Sequence, residues 1–136
     1  IEGMQRTLEL CKKDFGGLIF VNLVEFDMLY GHRNDIDGYA AALSEFDSML
    51  SMLLYDMASH DIVIITADHG CDPLHPGTDH SREYTPMLII GDPVRRGVNL
   101  GKRGCFGDIA ATVLDYLDVS GDVAGTSFWD SVKAFS

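Results

Sequence analysis

The sequence predicts an α/β fold: an open, mostly parallel sheet with helices on both faces. Two apolar runs of strand length, Leu18–Val24 and Asp61–Ala67, bracket a long helical repeat, and a third run, Pro86–Gly91, follows. Strands apolar on both faces belong to a sheet covered on both sides. A helix between two such strands is a right-handed crossover. Ligands of these sheets bind beyond the carboxyl ends of the strands.

Each element has its own signal. Met4, Leu8, Cys11 and Phe15 recur at helical spacing, Lys12 and Lys13 lie near the end, and Gly16-Gly17 stops the helix. Leu18–Val24 then reads as a central strand. Ile36, Tyr39, Ala40, Leu43, Phe46, Leu50, Leu53, Leu54 and Met57 form one stripe of a helix over 36–58, capped by Asp35 or Asn34. Asp61–Ala67 is the second strand. The connection from Asp68 to Thr85 contains Gly70, Pro73, Pro76 and Gly77, and loops of that length in a compact domain carry function. Pro86–Gly91 is a third strand, and Val98–Leu100 a short extended piece. Phe106, Ile109, Ala110, Val113, Leu114 and Leu117 mark another helix. Gly125-Thr126-Ser127 caps a last short one, with Phe128, Trp129 and Val132 packing back.

Composition narrows the function. The chain has 136 residues, 46% of them apolar, enough for one domain with a core. Its net charge of −11 argues against nucleic acid and against an anionic membrane surface as partners. An acidic protein that handles phosphate needs local positive charge, and bound metal supplies it. Cys11, Cys71 and Cys105 are scattered without a CxxC pair, as in a cytoplasmic protein with reduced thiols. Cys71 would be the one soft ligand among hard ones, and is read as neither ligand nor nucleophile. No apolar stretch approaches the roughly 20 residues of a membrane span. Ile1-Glu2-Gly3 is no signal peptide, and without an initiator Met the chain reads as starting inside a longer product.

Five residues carry the chemistry: Asp27, His32, Asp68, His69 and His80. A lone Asp after a strand usually caps a turn, and a lone His is usually a surface group. Here carboxylate and imidazole follow two buried strands, and a third Asp-His closes the loop. This is the ligand set of Mn²⁺ or Zn²⁺. Five groups exceed what one catalytic ion with an open position takes, so two ions and phosphoryl chemistry follow. Gly31 permits a turn that swings His32 back toward Asp27, and Gly70 breaks the strand so that Asp68 and His69 converge. Arg33 and Arg82 either pair with Asp35, Asp79 or Glu83, or bind substrate phosphate. His60 and His75 lie outside the pattern.

With these residues in view, the chain resembles bacterial phosphopentomutases, within the superfamily of alkaline phosphatase and cofactor-independent phosphoglycerate mutase. The resemblance rests on Phe20–Arg33, with Tyr-Gly-His-Arg at its end, on Ile65–Gly70, and on Pro76–Pro86. It continues through Gly97–Gly101, Asp108–Thr112 and Gly125–Phe128. Glu25 departs from the family's usual Asp, and Cys71 from its frequent Asn. The resemblance implies an alkaline-phosphatase-like core, of which residues 1–136 are the C-terminal portion. It implies two Mn²⁺ ions, with Asp27, His32 and His80 on one and Asp68 and His69 on the other. It also implies interconversion of ribose or deoxyribose 1-phosphate and 5-phosphate through a phosphothreonine, with a sugar bisphosphate activator. The nucleophilic Thr and the cap domain would lie upstream, so this chain would hold no catalytic nucleophile and would be inactive alone. The alternatives are another metal-dependent phosphatase, a sulfatase-like hydrolase or phosphoglycerate mutase of the superfamily, or a non-catalytic fragment.

Overall fold

Every apolar repeat read as helical forms a helix in the structure, a computed structural model that describes residues 2–134. In chain order the elements are α1 (Glu2–Cys11), α2 (Ile36–Asp56), β1 (Val63–Thr66), β2 (Met87–Ile90), α3 (Gly107–Tyr116) and α4 (Trp129–Val132). A π-helical turn, Phe26–Tyr30, and a 3₁₀ turn, Gly31–Arg33, lie between α1 and α2. Helices and strands are both present, and β2 follows β1 with no helix between them. Among the described residues no helix is long and apolar enough to cross a membrane.

The sheet is smaller than expected. Among the described residues the sheet has two strands, β1 and β2, which run antiparallel. The Thr66 hydroxyl donates to the Pro86 carbonyl at one end, while Gly91 abuts the Asp61 carbonyl at the other. Leu18–Val24 forms no ladder, with Val24 already in the turn before Phe26, and Val98–Leu100 forms none either. A run becomes a strand only when a neighbour takes its N–H and C=O groups. Val21 and Leu23 turn onto Gly3 of α1. Phe20, on the opposite face, is 85% exposed, and Leu18 and Val24 are exposed with it.

Contacts divide the chain into two compact units, Ile1–Ala58 with Ile64–Leu88, and Ser59–Val63 with Ile89–Ser136. In the first, α1 packs on α2. Met4 and Leu53 are the buried apolar side chains there. Helix α1 ends at Cys11, and Phe15, expected on its stripe, is exposed. Asp35, not Asn34, caps α2 by accepting the Gly38 N–H at 2.9 Å. Part of the predicted α2 stripe also stays in solvent, with Ile36 and Leu43 both exposed.

The second unit is organised around Phe128 and Val132, its most buried side chains. The buried face of α3 is polar, contrary to its apolar stripe, with Asp108 and Thr112 innermost. Both have partners, as buried polar groups require. Asp108 accepts from Arg103 Nε at 2.7 Å and from the Thr126 N–H at 2.8 Å. Thr112 donates to the Asp108 carbonyl at 2.7 Å and accepts the Phe128 N–H at 3.0 Å. The Arg103 guanidinium lies 5.4 Å from the Phe128 ring centroid. Asp118, left-handed at φ 52°, ends α3, and the Val119 N–H returns to the Leu114 carbonyl in a Schellman closure. The Ser127 hydroxyl accepts the Trp129 N–H at the start of α4, and Trp129 meets Tyr116 edge-on at 4.8 Å.

This network carries a pH dependence. The Thr126 N–H, and after it the Arg103 guanidinium, hold the Asp108 carboxyl below the usual carboxylate range against the upward push of burial. A carboxyl depressed on folding adds stability above its unfolded value, about pH 4, and loses it as pH falls through the folded value. Asp108→Asn should therefore lower the urea midpoint at pH 7, and its deficit against the parent should shrink by pH 3. The fluorescence of Trp129, the single tryptophan, reports this unit. A deficit that stays constant with pH would exclude the carboxylate as its source.

Candidate metal centre

The site lies in the first unit. Phe26 opens the π turn and meets Tyr39 and Phe46 of α2 edge-on, with ring centroids 5.6 and 6.2 Å apart. That anchor fixes the next residue, Asp27. Such extra-wide turns recur at functional sites because they re-aim one side chain. The turn closes on Gly31, whose N–H reaches the carbonyls of Asp27 and Phe26. Gly31 has φ −60° and ψ −60°, open to any residue, so its backbone freedom is not what the turn uses. Space is: a Cβ there would lie 2.5 Å from Cys71 Sγ and 3.3 Å from Asp27 Oδ1.

The connection from Asp68 onward is ordered by its own polar groups. Gly70 and Ser81 form an antiparallel bridge. Buried Ser81 accepts the Asp72 N–H on its hydroxyl at 2.6 Å. Asp72 Oδ1 accepts the Leu74 N–H, and its carbonyl accepts from His75. Across this bridge His69 and His80 are diagonal neighbours on one face. Their rings stack with centroids 3.6 Å apart.

Ligand atoms of Asp27, His69 and His80 all lie within 4.8 Å of one another. His32 joins them, with Nε2 3.1 Å from Asp27 Oδ2, and His80 Nε2 lies 3.5 Å from Asp27 Oδ1. Asp68 stands apart: its side chain is 79% exposed, and its Oδ1 is 3.5 Å from His69 Nε2. The resemblance implied a division of Asp27, His32 and His80 from Asp68 and His69. In the structure His69 lies beside both: its ring stacks on His80 and its Nε2 is the atom nearest Asp68. Arg33 and Arg82 are exposed, and among the described residues neither pairs with Asp35, Asp79 or Glu83. His60 is exposed, and its carbonyl accepts from the Tyr116 hydroxyl.

The donor set fits a divalent cation. His32 Nδ1 faces the Thr78 carbonyl and His69 Nδ1 faces the Gly70 carbonyl at 3.0 Å, so each Nδ1–H donates there. With the proton on Nδ1, the neutral form of each ring presents an Nε2 lone pair, the arrangement that backbone carbonyls impose on metal-binding histidines. A lone pair 3.1 Å from the Asp27 carboxylate is repulsive unless a proton or a metal cation joins them. Asp27 Oδ1 is itself buried with no hydrogen-bond partner. Burying an unpaired carboxylate oxygen costs stability, and a cation removes that cost. Burial, then the charges of Asp27, Glu83 and Asp72, hold the Cys71 thiol above its usual range. Un-ionised, it packs against Gly31 and is a poor nucleophile.

Ser81 is not singled out by the sequence, and Asn34 reads there only as a candidate helix cap. A serine after Asp-His carries no sign of burial, and nothing local to Asn34 points to a loop 39 residues away.

Comparison with known proteins matches residues 1–121 to the Metalloenzyme superfamily. The phosphopentomutase of Lachnoclostridium phytofermentans is 55% identical over 93% of this chain and 33% of its own length. That of Acetivibrio thermocellus is 52% identical over 97% of the chain and 34% of its own length. That of Carboxydothermus hydrogenoformans is 48% identical over the same shares, 97% and 34%. The chain thus spans about a third of the length of the curated relatives it matches. A donor cluster that wants a cation and a family match running through every residue of it lead to one conclusion: the chain belongs to the Metalloenzyme superfamily.

Proposed function

We propose that this chain is the C-terminal, metal-ligating portion of the catalytic core of a phosphopentomutase. Such an isomerase moves a phosphoryl group between the 1- and 5-positions of ribose or deoxyribose in the cytoplasm. The observation that carries this reading is Asp27, a carboxylate with a buried oxygen that has no hydrogen-bond partner and faces three imidazoles. Asp27, His32 and His80 would hold one Mn²⁺, and Asp68 and His69 a second, completed by donors from elsewhere in the polypeptide. When bound, such a pair supplies charge neutralisation for the transferred group and a lowered pKa for the attacking hydroxyl.

The chain's own residues then have separate tasks. The Thr78 and Gly70 carbonyls set the tautomers of His32 and His69. Arg33 and Arg82, exposed and without ion pairs among the described residues, serve the phosphate of the sugar substrate. The nucleophilic Thr that carries the phosphoryl group, and the cap that excludes water, belong to the two-thirds of the relatives' length outside the match. A sugar bisphosphate would prime that Thr. The same missing polypeptide would pair with Leu18–Val24, completing an open, mostly parallel sheet over the bare apolar face of Phe20.

Calorimetric titration of the chain with Mn²⁺, followed by an assay of ribose 5-phosphate interconversion, tests the reading. The expected result is Mn²⁺ binding without turnover. Turnover by these 136 residues alone would refute the division of labour, and absence of Mn²⁺ binding would refute the metal site.

A further inference from the structure

The loop that carries His80 is held from outside itself. Asn34 ends the 3₁₀ turn with φ 51° and ψ 33°, a left-handed conformation that Asn tolerates better than most residues. Its own N–H closes that turn on the Gly31 carbonyl at 3.1 Å, leaving the side chain free to reach outward. Nδ2 donates to two loop carbonyls, Pro73 and His75, each at 3.1 Å. Two residues earlier, His32 Nδ1 faces the Thr78 carbonyl. One short turn thus grips three carbonyls of the loop that begins after His69 and ends at His80.

We infer that Asn34 is a positioning residue: its amide clamps the 73–78 loop to the Asp27–His32 turn, and so holds His80 beside Asp27. The metal part of this inference rests on the preceding reading, while the clamp itself does not. The geometry requires an amide. A carboxylate at 34 would have no donor and would face two carbonyl oxygens, and a glycine would keep the backbone turn but release the loop.

The experiment compares the full 136-residue chain with Asn34→Gly and Asn34→Asp, by amide hydrogen exchange and by Mn²⁺ titration. The amides of Asp72, Leu74 and His75, which bond within the loop, are the reporters. In Asn34→Gly they should exchange roughly tenfold faster, and Mn²⁺ affinity should fall roughly tenfold, with α2 protection unchanged. Asn34→Asp should show a larger effect of the same kind. Unchanged exchange at the three amides in both variants would overturn the clamp. So would a loss of protection shared equally by α2, which would make Asn34 a residue of the helix start. A parent chain that takes up no Mn²⁺, with the loop still released by Asn34→Gly, would sink the metal reading and leave the clamp standing.

Discussion

The Asp27→Asn variant should bind Mn²⁺ at least about a hundredfold more weakly than the parent, since even outer partners of metal ligands are worth 10- to 100-fold. Without metal, the same variant should be more stable, by about 1 kcal/mol. The two effects have opposite signs because they share one cause. Asp27 Oδ1 is buried without a hydrogen-bond partner, and Oδ2 faces a histidine nitrogen at 3.1 Å. Metal turns that charge into an asset, and in its absence the charge is a burden. An Asn in the same place has no charge to bury, and its Nδ2 can donate to the His32 Nε2 lone pair. Thermal unfolding with excess Mn²⁺ and with chelator measures both quantities on one sample. A variant destabilised under both conditions would make Asp27 a structural residue, and one with parental affinity would remove it from the site.

Gly70→Ala should disrupt the site by a different route. Its Cβ would stand 2.7 Å from the Glu83 nitrogen and 2.7 Å from the Ser81 carbonyl oxygen, with Glu83 Oε2 at 2.6 Å. Two of those atoms are backbone, so no rotamer change relieves the clash. The bridge to Ser81 must open, and overpacking of this kind costs about 1–3 kcal/mol. The stack of His69 on His80 depends on that bridge, so Mn²⁺ affinity should fall along with stability. Gly16→Ala, with nothing within 4 Å of its Cβ, is the neutral control. Adding Glu83→Ala should not restore Gly70→Ala. Restoration would trace the clash to the carboxylate and contradict the backbone argument.

Several features are legible in the sequence alone. The spacing of Met4, Leu8 and Cys11, of Tyr39 through Met57, and of Ile109 through Leu117 located the three longer helices. Helical periodicity is a local property, written in residues three and four apart. The residue types of the candidate site were legible too, because carboxylate and imidazole are able to ligate a divalent cation wherever the chain takes them. What failed to carry over was whatever depends on a neighbour. Leu18–Val24 has the composition of a buried strand and stays unpaired, since a strand's hydrogen bonds are made by another segment. Asp108 and Thr112 broke the apolar pattern of α3 because their burial is compensated by Arg103, Thr126 and Phe128, which sequence distance hides.

The sequence by itself determined which residue types are available as donors and where the helices run, since residue type and near-neighbour periodicity suffice for both. Only the tertiary structure decided that His69 joins Asp27 and His80, that Gly31 is needed for its size, and that Asn34 reaches the loop. Those outcomes depend on distances between segments some 40 residues apart, and such distances are set by packing and by partner atoms, not by the letters at either end.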